Sequence, residues 1–168
     1  VRIDGFNHFA VTIKEYAEVA YLESNGKYSP VISSGKVIPI EVEKSDGSLP
    51  ILESFTSSKR ILHVLDQYKK LSEEVKQGIS QIKYAPTSEN KELLEILMND
   101  GNKVLVSIDD LGKKMNYYPQ VVEQMNEKEI KGVVDMEAGI YSYPYEDNSS
   151  EADTTQSTTN QSETTEAQ

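Results

Sequence analysis

The stretch Glu92–Leu111, ELLEILMNDGNKVLVSIDDL, decides the fold class. Its first seven residues are strong helix formers, but they are too few to stand as a helix before Asn99-Asp100-Gly101-Asn102. The residues after that turn, Lys103 to Ile108, are β-branched and alternate in polarity. An Asp-Gly pair between two apolar runs is a hairpin signal, because its turn needs positive φ and those residues tolerate it. Leu94 to Met98 is therefore predicted as a strand imposed by its partner. Asp109 and Asp110 then suit the N-terminus of a helix.

Working outward in both directions, the alternation continues. Phe9, Val11, Ile13, Val19 and Tyr21 recur at period two, as two strands or one bent strand interrupted near Glu15 to Glu18. Asn25-Gly26 predicts a second hairpin, with Tyr28 to Val31 as its return strand. Val37 to Val42 is another β-rich run, ended by Ser45-Asp46-Gly47-Ser48. Between Ser57 and Ile79 the period changes: Ile61, Leu62, Leu65, Tyr68, Leu71 and Val75 fall at helical spacing, with Ser57 or Ser58 as cap and Gly78 as stop. Ile79 to Tyr84 reads as a short strand closed by Pro86. The second helix is expected to run from Asp109 or Asp110 to about Met125, with Leu111, Met115, Tyr118, Val121, Val122 and Met125 as its stripe. Pro119 should kink or restart it. Val133 to Tyr143 is expected as a single last strand, stopped by Pro144. The sum is an α+β domain: a mostly antiparallel sheet with two main helices on one face.

Composition sets the limits around that body. The chain has 168 residues, 28 Asp+Glu against 17 Lys+Arg, a formal charge of −11 and 37% hydrophobic residues. Glu146 to Gln168 holds six acids, Glu146, Asp147, Glu151, Asp153, Glu163 and Glu166, with no Lys or Arg, and its only hydrophobic residues are Ala152 and Ala167. Such a segment buries too little apolar surface to offset its ordering entropy, so residues 146–168 are expected to be a disordered tail and residues 1–145 the folded domain. The remaining −11 + 6 = −5 belongs to the body. No basic stripe exists to neutralise phosphates, which argues against nucleic acid as a partner. The absence of cysteine excludes disulfides, thiolate metal sites and thiol nucleophiles. Val1, Ile3 and Phe6 already alternate, as in a piece of a longer chain, and no apolar run is long enough to span a bilayer.

Candidate chemistry is sparse. His8 and His63 stand alone, without a second His or Cys at ligand spacing. Asp109-Asp110 and Glu73-Glu74 diverge by about 100° on a helix and suit helix starts better than carboxylate catalysis. No nucleophile elbow, phosphate loop, zinc motif or calcium loop occurs. Asn148-Ser149-Ser150 and Asn160-Gln161-Ser162 match the glycosylation pattern but arise readily in a Ser/Thr-rich tail. No catalytic residue, metal or cofactor is expected, and the isolated chain should be monomeric. One feature stands out: Tyr141, Tyr143 and Tyr145 project at period two from the last strand. Such residues either pack a core or flank a sheet edge that accepts a strand from another chain.

Three segments resemble a known family. VTIKEYAEVAYLESNGKYSPV (11–31), ILMNDGNKVLVSIDDLGKKMNYYPQVVEQM (96–125) and KGVVDMEAGIYSYPY (131–145) are similar, in order, to the extracytoplasmic β domain of the bacterial division proteins DivIB and FtsQ, more in the Gram-positive DivIB manner. The resemblance implies a non-enzymatic septation scaffold, anchored by a single membrane span that precedes a POTRA domain, with this domain outside the cell at the septum. It implies DivIC-like and FtsL-like partners, one of which adds a strand beside the last strand. On this sequence that maps to Val133, Val134, Asp135, Met136, Glu137, Gly139, Ile140, Tyr141 and Tyr143. The alternative is a surface adhesin or ligand-binding module with a wall-threading tail.

Overall fold

The computed structural model describes residues 2–3, 9–10, 17–43 and 47–145; His8 and residues 146–168 lie outside them. Arg2–Ile3 (β1) pairs antiparallel with Phe9–Ala10 (β2). The other eight strands form one sheet: Glu18–Ser24 (β3), Lys27–Ile32 (β4), Ile51–Glu53 (β5), Ile79–Tyr84 (β6), Leu93–Met98 (β7), Lys103–Ser107 (β8), Gly132–Asp135 (β9) and Tyr141–Pro144 (β10). Their spatial order is β10-β9-β8-β7-β6-β5-β3-β4. Both predicted hairpins are present. Asn25 and Gly26 take φ of 54° and 78°, and Gly101 takes 90°, as tight turns between twisted strands require.

The sheet is mixed rather than simply hairpin-linked. β3 and β5, β5 and β6, and β8 and β9 pair in parallel. Parallel neighbours need a crossover; for β5–β6 and β8–β9 the helices supply it, whereas β3 leads to β5 through β4 and the segment that follows it. Ser58–Tyr68 (α1) and Glu73–Gly78 (α2) link β5 to β6; Ile108–Lys114 (α3) and Tyr118–Glu127 (α4), joined by a 3-10 turn at Met115–Tyr117, link β8 to β9. α1 and α3 pack together closely: a Cβ on Gly112 would stand 2.9 Å from Gln67 Oε1, and His63 Nε2 lies 3.0 Å from Asp109 Oδ1. Both crossovers therefore lie on one face of the sheet.

That face is the core. Leu52, Ile82, Ile96, Val104 and Val134 form one cross-strand row through the register, and each is at most 1% exposed. They join Ile61, Val64, Leu65, Leu111, Met115 and Met125 from the helices in a single apolar cluster. Full burial of such a side chain is worth about 1.5–3 kcal/mol. The opposite face carries ion pairs instead, Lys83 with Glu53 at 3.1 Å and Lys103 with Glu95 at 3.1 Å, and Gln81 donates to Glu53.

Three expectations need correction, and one strand, β5, goes unannounced in the sequence. The helix over 57–79 is two helices, because Asn116 reaches between them: its Oδ1 accepts from Ser72 N–H at 2.9 Å and its Nδ2 donates to Lys70 carbonyl at 3.2 Å. Ser72 then caps α2 by accepting from Val75 N–H at 3.3 Å. The run 37–42 is no strand; it meets β4 through the isolated bridges Val31↔Val37 and Tyr28↔Val42 and a few single backbone hydrogen bonds. β5 carries no periodic signal in three residues, yet lies between β3 and β6 in mid-sheet. Lastly, the single strand over 133–143 is a hairpin of β9 and β10. As expected, the second helix restarts at Pro119, which stands in the first turn of α4. There its missing N–H costs no hydrogen bond.

Candidate partner-binding edge

An open sheet has two edges, and their treatment here differs. Along β4, Tyr28 and Val42 exchange both backbone hydrogen bonds at 2.9 Å, Ile38 N–H donates to Pro30 carbonyl at 2.8 Å, and Ile32 N–H donates to Lys36 carbonyl at 3.0 Å. Segment 36–42 thus covers that edge. β10 has β9 on one side and no strand on the other among the described residues.

The edge strand is held by a dense set of contacts from elsewhere. Asp135 Oδ1 accepts from Glu137 N–H at 2.9 Å, which reverses the chain after β9. Such an Asx turn satisfies locally the backbone groups that leave the sheet. Lys114 Nζ donates to the carbonyls of Met136 and Glu137, both at 2.7 Å. Asn90 Nδ2 donates to Glu137 Oε1 at 2.7 Å. At the other end Tyr145 N–H donates to Lys131 carbonyl at 3.3 Å, and its hydroxyl donates to Gly101 carbonyl at 2.9 Å.

Beneath that end lies a buried polar cluster. Asn102 is 1% exposed. Its Oδ1 accepts from Gly132 N–H at 3.0 Å, and its Nδ2 donates to Tyr118 Oη at 3.2 Å and to Asp100 Oδ2 at 3.1 Å. Tyr118 donates to the Asp100 carboxylate, with its Oη 2.8 Å from Oδ2. Burial foremost, with the Asp100 carboxylate beside it, pushes the Tyr118 hydroxyl well above its ordinary pKa. The turn of the β7–β8 hairpin, the start of α4 and the start of β9 are tied at one point.

The structure sorts the expected contact residues, with Tyr145 beside them, into three groups. Val134 and Met136 are fully buried in the core, and Val133, Asp135, Glu137 and Gly139 are half-buried. Ile140, Tyr141, Tyr143 and Tyr145 are exposed, at 40%, 65%, 44% and 41%. Cross-strand pairing of Tyr141 with Asp135 and of Tyr143 with Val133 places both tyrosines on the sheet face opposite the helices. Aromatic rings left in water beside an open strand edge are features that strand addition can use. Gly132 is the residue whose part the sequence reading missed. A side chain there would meet Tyr143 carbonyl oxygen and Pro144 Cα, so only glycine lets β10 close onto β9.

His63 pairs with Asp109 between helices, and Asp110 pairs with Lys114 at 3.0 Å. Glu73 pairs with Lys76 at 2.8 Å within α2. No group of three metal-ligating side chains occurs among the described residues. No helix among them is long and apolar enough to cross a membrane.

Comparison with known proteins gives the following. Residues 20–137 match the family model described as cell division protein FtsQ/DivIB, C-terminal. The chain is 46% identical over 151 residues to cell division protein DivIB of Enterococcus faecalis, covering 90% of this chain and 40% of that one. It is 34% identical over 135 residues to DivIB of Bacillus subtilis, covering 80% and 51%. It thus spans about half or less of the length of these relatives. Its fold matches the major extracytoplasmic domain of DivIB from Geobacillus stearothermophilus with a TM-score of 0.58 at 23% identity, covering 68% of this chain and 97% of that one.

Proposed function

Since this chain belongs to the FtsQ/DivIB family of cell division proteins, we propose that it is the partner-binding extracytoplasmic module of a non-enzymatic septation scaffold. In this reading the whole protein is held in the membrane by a single span, and this domain faces outward at the septum. Its partners are DivIC-like and FtsL-like division proteins, one of which lays an extended segment along β10. The supporting observation is the asymmetry of the sheet edges: segment 36–42 covers β4, whereas no strand covers β10 among the described residues, and exposed Tyr141 and Tyr143 flank it. Backbone pairing would supply affinity and the tyrosines selectivity.

Titration with the extracytoplasmic segment of the DivIC-like protein, followed by amide chemical shifts, tests this. Perturbation of residues 131–145 is the expected result. Shifts confined to residues 17–43, with β10 silent, would sink the reading.

A further inference from the structure

The open edge offers its backbone groups unevenly. In an antiparallel pair, alternate residues turn their N–H and C=O to opposite sides. Tyr145 N–H is spent on Lys131, and Tyr143 and Tyr141 stand opposite Val133 and Asp135 in the same register. Odd-numbered residues of β10 thus bond to β9. On β9 itself the even-numbered residues face the other way, Met136 N–H donating to Leu105 carbonyl at 2.7 Å and Gly132 N–H to Asn102 at 3.0 Å. Ser142 and Pro144 are left with their backbone groups pointing away from the sheet. Proline has no N–H. Within β10, Ser142 therefore presents the sole outward donor, beside two outward carbonyls.

The geometry points to Ser142 as the residue that holds a docked strand, and to Pro144 as the residue that fixes where its pairing ends. This rests on the proposed function and specifies it. The docked segment is short and extended, and it supplies an N–H to the Ser142 carbonyl, so proline is excluded at that position. Its side chains on the tyrosine side are apolar. A proline on an exposed edge also limits unwanted pairing with other strands, which leaves one anchoring residue rather than an open template.

Four variants of the 168-residue chain, titrated with the extracytoplasmic segment of the DivIC-like protein, test this. Ser142→Pro deletes the outward donor and should weaken binding at least about tenfold. Ser142→Ala keeps that donor and should bind within about twofold. Pro144→Ala adds a donor and should tighten binding by roughly two- to tenfold. Unchanged binding by Ser142→Pro, with loss of binding by a Tyr141→Ala, Tyr143→Ala double variant, would overturn the inference yet leave β10 as the contact site. Unchanged binding by every variant, or no binding by the unaltered chain, would overturn both. Should Ser142→Pro detach β10, seen as collapse of the Tyr141 and Tyr143 amide shifts, Pro144→Ala decides: no tightening overturns the inference.

Discussion

Gly139 and Tyr141 fit together as a bare backbone and a ring laid across it: a Cβ on Gly139 would stand 2.6 Å from Tyr141 Cε2 and 2.9 Å from its hydroxyl oxygen. The ring is 65% exposed, so this contact, rather than core packing, sets its direction. Gly139→Ala should swing Tyr141 away at little cost in stability, because the displaced atoms end a flexible side chain. The expected outcome is an unchanged melting temperature with weaker partner binding, read by calorimetric titration. Equal affinity would show that the ring's direction is irrelevant.

Gly132→Ala should behave differently, because its Cβ would meet backbone, with Pro144 Cα at 2.7 Å. Neither strand can give way without losing the ladder. Overpacking of this kind costs about 1–3 kcal/mol, and the strain falls on β10 pairing. Hydrogen exchange should show lost protection at Tyr143 and Tyr145 amides while β7 and β8 stay protected.

Asn102→Ala removes the acceptor for Gly132 N–H and the donor to Tyr118 and Asp100 together. An orphaned buried donor costs about 1–3 kcal/mol, and Gly132 is buried. Denaturant unfolding should show a fall in midpoint without a change in slope. Asn102→Asp keeps the acceptor but sets a second carboxylate beside Asp100, and should be worse than Asn102→Ala.

Tyr118 makes stability depend on alkaline pH. Its folded pKa is raised above the ordinary value near 10, so above that pH the unfolded chain gives up a proton that the folded chain keeps. The contribution is complete below about pH 10 and is lost as pH rises toward the folded value. Tyr68, pushed up to about 12 chiefly by burial, adds in the same direction. Denaturation midpoints at about pH 8 and pH 11 should differ, and Tyr118→Phe should narrow the gap. An unchanged gap would assign the alkaline loss to other groups.

The parts of the fold that sequence revealed were those determined by near neighbours. Asn25-Gly26 and Asp100-Gly101 announce their turns, and Pro119 announces the restart of a helix, because each acts within a few residues. The break at Lys69 to Ser72 depends on Asn116, more than forty positions away, so the helical period of Leu71 and Val75 runs through it without a mark. Parallel pairing of β8 with β9 joins residues thirty positions apart and is likewise invisible locally. The hairpin between β9 and β10 was legible in principle, since Asp135 followed by Glu137, Ala138 and Gly139 is turn chemistry; the alternation of Val133 with Tyr141 and Tyr143 concealed it. The tyrosine row was visible at once, but an open edge is a property of the assembled sheet.

The position of β10 has a bearing on how the molecule is made. A ribosome releases this strand after every other described element, and β9 joins the sheet only through a parallel crossover that must follow α4. A nascent chain ending before Gly139 would show β9 as its edge, with the backbone groups of Val133 and Asp135 open and no tyrosines. The proposed recognition surface therefore exists only once β10 has joined the sheet, so a partner that bound it would select a domain that has already folded.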